Sequence, residues 1–263
     1  MFFTKNLIYI LSVVFAVAMM LNAQSPEEKG LEIAIESDKR DIGFGDSSSE
    51  LTMILRNKQG DESKRQISNK TLEVDNDGDK SVVIFNEPRD VKGTAFLSFT
   101  HKSGPDDQWL YLPALKRVKR IASDNKSGPF MGSEFAYEDI SSQEVEKYTY
   151  KYIMNENLDG IDCFVIERYP VEENSGYTKQ IVWIDTDQYR PMKTDFYDRK
   201  NSLLKTLMYL EYNQYLSKYW RANILSMVNH QTGKSTDLLF SDYKFANGFS
   251  ESDFNQNSLK RAR

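Results

Sequence analysis

The chain has 263 residues, 40% of them hydrophobic and 13% aromatic, and a formal net charge of −5. That composition excludes a disordered chain and suffices for one large domain, while the acidic balance argues against general nucleic-acid binding. Cys163 is the only cysteine, so no internal disulfide can form, and His101 and His230 stand in no metal-ligand spacing; neither a metal nor a cofactor is expected.

Met1 to Ala23 reads as a secretory signal. Lys5 supplies the positive start, Leu7 to Leu21 the apolar core, and Ala23 the small residue before Gln24. A membrane anchor, the alternative, calls for a longer apolar run. Cleavage would leave residues 24–263 as one β domain, more acidic still because Lys5 is the only charged residue removed. No cysteine stands at the junction, so the mature chain is expected to be unlipidated, periplasmic, and only transiently in contact with membranes.

Pro26 to Arg40 predicts a helix, with Ser25 as cap and Leu31, Ala34 and Ile35 at i, i+3 and i+4, Ile33 widening the stripe. From residue 51 to 246 follow about a dozen strand-like runs, at 51–58, 64–74, 80–86, 93–100, 107–112, 116–121, 146–156, 161–169, 177–186, 190–198, 202–213, 220–229 and 234–246. Short turns such as Asp159-Gly160 and Thr232-Gly233 join many of them, which implies an antiparallel meander. Asp75-Asn76-Asp77-Gly78-Asp79 sits between strands and reads as a hairpin turn, not a calcium loop, which needs flanking helices and a later glutamate. Cys163 falls within an apolar strand and is expected to be buried. Ala95–Phe99 and Leu203–Leu210 are apolar on both faces. Either a closed sandwich core or a curved sheet around a helix, with a cavity between, would cover both sides.

Trp109 to Ile140 carries the most information. Trp109-Leu110-Tyr111-Leu112 is a strand stopped by Pro113, and the return run holds Lys116, Arg117, Lys119 and Arg120 around Val118 and Ile121. In a β run Lys116 and Arg120 share one face with Val118, and Arg117 and Lys119 share the other with Ile121. A turn-rich loop then reaches Phe130, Met131, Phe135 and Tyr137, which are too apolar for a loop that only faces water. This order, W-x-Y-L-P, R-V-x-R-I, then F-M-G-S-x-F-x-Y-E-D, resembles the bacterial outer membrane lipoprotein-sorting family with a LolA-like fold. The likeness continues more weakly from about Leu51 to Leu259.

The resemblance implies a mainly β, antiparallel, half-open barrel, its concave face covered by the N-terminal helix and a helical or loop lid. It also implies that Phe254 and Leu259 dock the tail. Its function would be to shelter acyl chains in transit, since exposing a sixteen-carbon chain costs on the order of 12 kcal/mol at ~0.8 kcal/mol per methylene. Phe96, Phe99, Leu110, Leu112, Phe130, Met131, Phe135 and Tyr137 are the expected cavity wall or lid. Lys116, Arg117, Lys119 and Arg120 are the expected headgroup or partner contacts, with solvated edge protection as their alternative. A lipid or lipoprotein is the expected cargo. The longer subgroup of the family is found with RND- or MMPL-type exporters, so an accessory module of such a transporter is the second reading. An enzyme is disfavoured: no nucleophile elbow or phosphate loop is present, no catalytic residue is assigned, and Glu134, Glu138 and Asp139 read as caps and turn residues.

Overall fold

In the computed structural model, which describes residues 24–260, the thirteen expected runs form thirteen strands. The expected leader, residues 1–23, lies outside the described residues. The strands are β1 (Asp46–Arg56), β2 (Glu62–Leu72), β3 (Lys80–Glu87), β4 (Ala95–Phe99), β5 (Asp107–Leu112), β6 (Arg117–Ile121), β7 (Tyr148–Leu158), β8 (Ile161–Pro170), β9 (Tyr177–Asp185), β10 (Pro191–Asp198), β11 (Leu203–Tyr215), β12 (Tyr219–Asn229) and β13 (Ser235–Phe245). All pair antiparallel in one sheet, in the order β6-β5-β4-β3-β2-β1-β13-β12-β11-β10-β9-β8-β7. The chain therefore makes two meanders joined at a seam, where Ser47 faces Phe245 and Arg56 faces Ser235. β6 and β7 are free edges that do not meet, so the barrel is open.

The helix, α1 (Pro26–Asp41), starts with a reciprocal cap: the Glu28 N–H donates to the Ser25 hydroxyl (3.1 Å) and the Ser25 N–H donates to the Glu28 carboxylate (2.9 Å). Its buried face differs from the predicted one. Gly30, Ile33 and Ala34 are buried, whereas Leu31 and Ile35 are 41% and 48% exposed. Gly30 sets this rotation, because a Cβ there would lie 2.7 Å from the Tyr152 backbone nitrogen: the helix rests directly on the β7 backbone. Ile33 and Ala34 then pack with Tyr150, Ile166, Val182 and Ile184 of β7–β9. Gly30→Val is expected to cost about 1–3 kcal/mol by overpacking, read as a shift in the urea midpoint.

The two faces of β4 are covered by different parts of the chain. Phe96 points into the concave core, while Ala95, Leu97 and Phe99 pack on the convex side with Val82, Trp109, Phe254 and Leu259. Phe254 and the short helix α2 (Gln256–Leu259) thus dock as expected, the Phe254 and Leu259 side chains being fully enclosed. Nothing comparable covers β11, where Leu203 and Leu210 stay exposed. Cys163 is fully buried in β8, and burial pushes its thiol up to about 11, out of the reactive range.

Candidate functional site

A cavity of about 760 Å³ lies between α1 and the concave face of the sheet. The strands divide along their length. At one end Leu51 and Met53 of β1, Ile67 of β2, Leu207 of β11, Met227 of β12 and Leu238 of β13 close into the main core. Farther along the same strands, Thr71, Tyr209, Leu225, Phe240 and Tyr243 line the cavity instead. Ala34, Ser37 and Asp38 of α1 form its roof, and residues 142–145 border it. The wall is rich in aromatic rings, chiefly Tyr150, Tyr189, Tyr209, Tyr212, Trp220, Phe240 and Tyr243. Burial raises the phenols of Tyr150, Tyr209, Tyr212 and Tyr243, so the hydroxyls stay neutral at physiological pH.

The eight residues expected to form the wall or lid sit elsewhere, and none lines this cavity. Phe96, Leu110, Phe130 and Phe135 are buried in the main core, with Leu112, Met131 and Tyr137 packed against it. Phe99 points to the convex side. Phe130 stacks edge-on to Phe96 and Tyr137, at centroid distances of 5.2 and 5.5 Å. The loop thus covers the concave face as a plug at the closed end. All of the eight but Phe99 turn inward, but the sequence could not show that they fill the space they surround.

Three acidic residues fasten this plug to the far arm of the sheet. Asp139 accepts from Lys205 (2.6 Å), from the Tyr177 hydroxyl (2.9 Å) and from the Ala136 N–H (2.6 Å). Glu138 accepts from the Ser175 hydroxyl and the Gly176 N–H, both at 2.8 Å. Glu134 accepts from the Asn229 amide at 2.7 Å. These carboxylates are anchors: Asp139 also caps the Ala136 N–H as a turn residue would, whereas Glu134 and Glu138 bond across the fold instead of capping locally.

Lys116, Arg117, Lys119 and Arg120 are exposed at the β6 edge. Val118 packs toward the convex cluster and Ile121 toward the concave core, which sends Arg117 and Lys119 to the concave side and Arg120 to the convex side. Arg120 pairs with Asp107. None of the four lines the cavity.

Charges within the cavity are uneven. Arg190 pairs with Asp185 at 2.7 Å and lies over the Trp220 ring, while Arg221 pairs with Asp41. Asp38, Asp79 and Glu144 have no ion pair among the described residues. Burial, followed by the charges of Glu73 and Asp41, pushes Asp79 up to about 7. Burial, followed by Asp79 and Asp38, pushes Glu144 up to about 7. Each group holds its proton more tightly folded than unfolded. Their contribution is therefore favourable below the ordinary carboxylate range and lost as pH rises through about 7. Glu144 is 8% exposed, so solvent screens it little. Glu144→Gln is expected to stabilise the empty protein by about 2–3 kcal/mol near pH 8 and by almost nothing near pH 4, as read by urea unfolding at both values. A gain independent of pH would assign the effect to packing. No sequence signal marks Glu144, which stands in a loop without a motif.

An open antiparallel sheet curved over a helix, with an aromatic cavity between them, defines the LolA-like class of fold. A crystal structure described as an outer membrane lipoprotein-sorting protein domain, from Vibrio parahaemolyticus, is 60% identical and superposes with a TM-score of 0.88, covering 89% of this chain and 100% of that one. A DUF1329 family protein from Desulfovibrio piger is 29% identical with a TM-score of 0.85, over 90% of this chain and 100% of the other. A LolA superfamily protein from Nitrosomonas europaea, 20% identical with a TM-score of 0.71 over 90% and 100% of the two chains, shares the fold. A family model described as "Uncharacterized protein" matches residues 77–261. No curated protein matches the sequence. The chain belongs to the LolA-like family.

Proposed function

We propose that the protein is a periplasmic carrier, which shelters the acyl chains of a lipid or lipoprotein in the cavity beneath α1 and passes them between membrane-associated partners. The observation that carries this is the cavity itself. It is large enough for a lipid chain, within the roughly 300–1,000 Å³ of ligand pockets, and its sheet wall carries aromatic and aliphatic side chains among polar and charged ones. The relative from Vibrio parahaemolyticus, described as a lipoprotein-sorting domain, supports the same function. In this reading the chain is exported by cleavage after Ala23 and performs no catalysis. The core around Phe130 and Phe135 fills the other end of the concave face, so cargo enters at the α1 side. Mass spectrometry of an organic extract of the protein purified from its own periplasm tests it. A stoichiometric acyl lipid or lipopeptide is expected; a cavity holding none after mild purification would refute the carrier.

The β6 cations support a docking role beside this, toward an acidic surface such as that of an RND- or MMPL-type inner-membrane transporter. Arg is suited to bidentate carboxylate contact, and the edge strand leaves Arg117 exposed to make it, while Arg120 already pairs with Asp107. Arg117→Glu combined with Arg120→Glu is expected to leave stability within about 1 kcal/mol while slowing cargo transfer at low salt. Unchanged transfer would assign these residues to edge protection alone.

A further inference from the structure

We propose that the cargo carries an organic ammonium group, which seats against Glu144, Asp79 and Asp38 where the 142–145 segment, the β2–β3 turn and α1 converge on the cavity. This rests on the carrier function and specifies its cargo. Glu144 is the decisive residue. It is more than nine-tenths buried and lines the cavity, and its carboxylate meets neither a hydrogen-bond donor nor a paired cation among the described residues. Its oxygens still reach the space of the cavity, where confinement solvates an ionised carboxylate poorly unless a cation completes it. Asp38 likewise has no partner, and Asp79 has only the Ser142 hydroxyl at 3.4 Å.

The surrounding charges do not fill this need. Lys102, from the β4–β5 loop, acts on Glu144 and Asp38 through space without forming an ion pair. Glu146, Asp41 and Glu73 add negative charge around the group. Arg221 is taken by Asp41, Arg190 by Asp185, and Arg168 by the Gln180 amide oxygen at 2.6 Å. Among the described residues no three His, Cys, Asp or Glu side chains come together as a metal cage. Carboxylates spread over the wall of a roomy, aromatic cavity fit an ammonium carried on a larger molecule, and the Tyr150 face adds a surface that attracts one. A primary ammonium on a lipid head would leave its chain to run along Tyr209, Tyr212 and Phe240.

The test compares two single-chain lipids with the same acyl tail, lysophosphatidylethanolamine and lysophosphatidylglycerol. They are titrated below their micellar concentrations into the delipidated mature chain, with tyrosine and tryptophan fluorescence as readout. The ethanolamine lipid is expected to bind about tenfold more tightly near pH 8, and that preference should shrink below about pH 6, where the carboxyl groups hold protons. Glu144→Gln and Asp79→Asn are each expected to abolish most of the preference, chiefly by weakening binding of the ethanolamine lipid near pH 8. Equal affinities for the two lipids in the unmodified chain, or a preference retained in both variants, would overturn the ammonium site and leave the carrier standing. Failure of both lipids to bind would overturn the carrier as well. Phosphoethanolamine without a chain binding as tightly as the lipid would overturn a cargo role for the site.

Discussion

Lys205→Met is expected to destabilise the protein by about 3–5 kcal/mol, measured by urea unfolding at neutral pH. Lys205 is almost wholly enclosed: its ammonium donates to Asp139 (2.6 Å) and to the Glu134 carbonyl (2.8 Å), between the rings of Tyr177 and Phe196. Methionine fills the same volume, so packing changes little and the lost charge dominates. Asp139, itself 6% exposed at its side chain, would then be an ionised group with only the Tyr177 hydroxyl and one backbone N–H to hold it. Adding Asp139→Asn should recover much of the loss, because removing both charges of a buried pair is far less costly than removing one. A double variant as unstable as Lys205→Met alone would show that the loss is one of shape.

Phe130→Ala is expected to cost a further about 3–5 kcal/mol by itself, through lost burial and the hole left behind. The ring is 1% exposed and touches Phe85, Phe96 and Tyr137, so the neighbours that would have to collapse are themselves rings held by β3, β4 and the loop itself. Met131 beside it is only partly buried and stands in a left-handed conformation at φ 50°, so Met131→Ala should cost much less. Hydrogen exchange distinguishes the plug from a mobile lid. Amides of Phe130 and Ser133, bonded to the carbonyls of Phe135 and Phe130, should exchange as slowly as strand amides in the unmodified protein and fast in Phe130→Ala. Fast exchange in both would mean that the segment opens readily and is not a plug.

The strands were legible because their signals are local. Turn chemistry at Asp159-Gly160 and Thr232-Gly233, and the proline after Leu112, mark boundaries that the structure keeps within a few residues. β1 was read too short at its start because Asp46, Ser47 and Ser49 are polar, yet all three are buried, Asp46 accepting the N–H groups of Asn247, Gly248 and Phe249 from the end of the chain. The helix face was misjudged because hydrophobicity cannot register a contact made by a missing side chain, as at Gly30. The motif of Phe130 to Tyr137 pointed correctly to a covered concave face. It could not reveal that the rings fill the concave face at one end while tyrosines from three distant strands enclose the space at the other. Only the register of β7, β11 and β13 brings Tyr150, Tyr209, Tyr212 and Tyr243 together, and register between strands so far apart in sequence is a property of the assembled sheet.

Every neighbouring pair in the sheet joins strands consecutive in the chain, save one: the seam between β1 and β13. Each hairpin closes a short loop, whereas the seam must bring Ser47 to Phe245 across nearly the whole sequence and bears the largest closure entropy. The two meanders can therefore zip independently, and the seam is expected to form late in folding. Tyr243 stands on the last strand to be made, and Thr71 and Phe240 face the cavity from either side of the seam. A growing chain accordingly lacks part of the cavity wall until β13 is released.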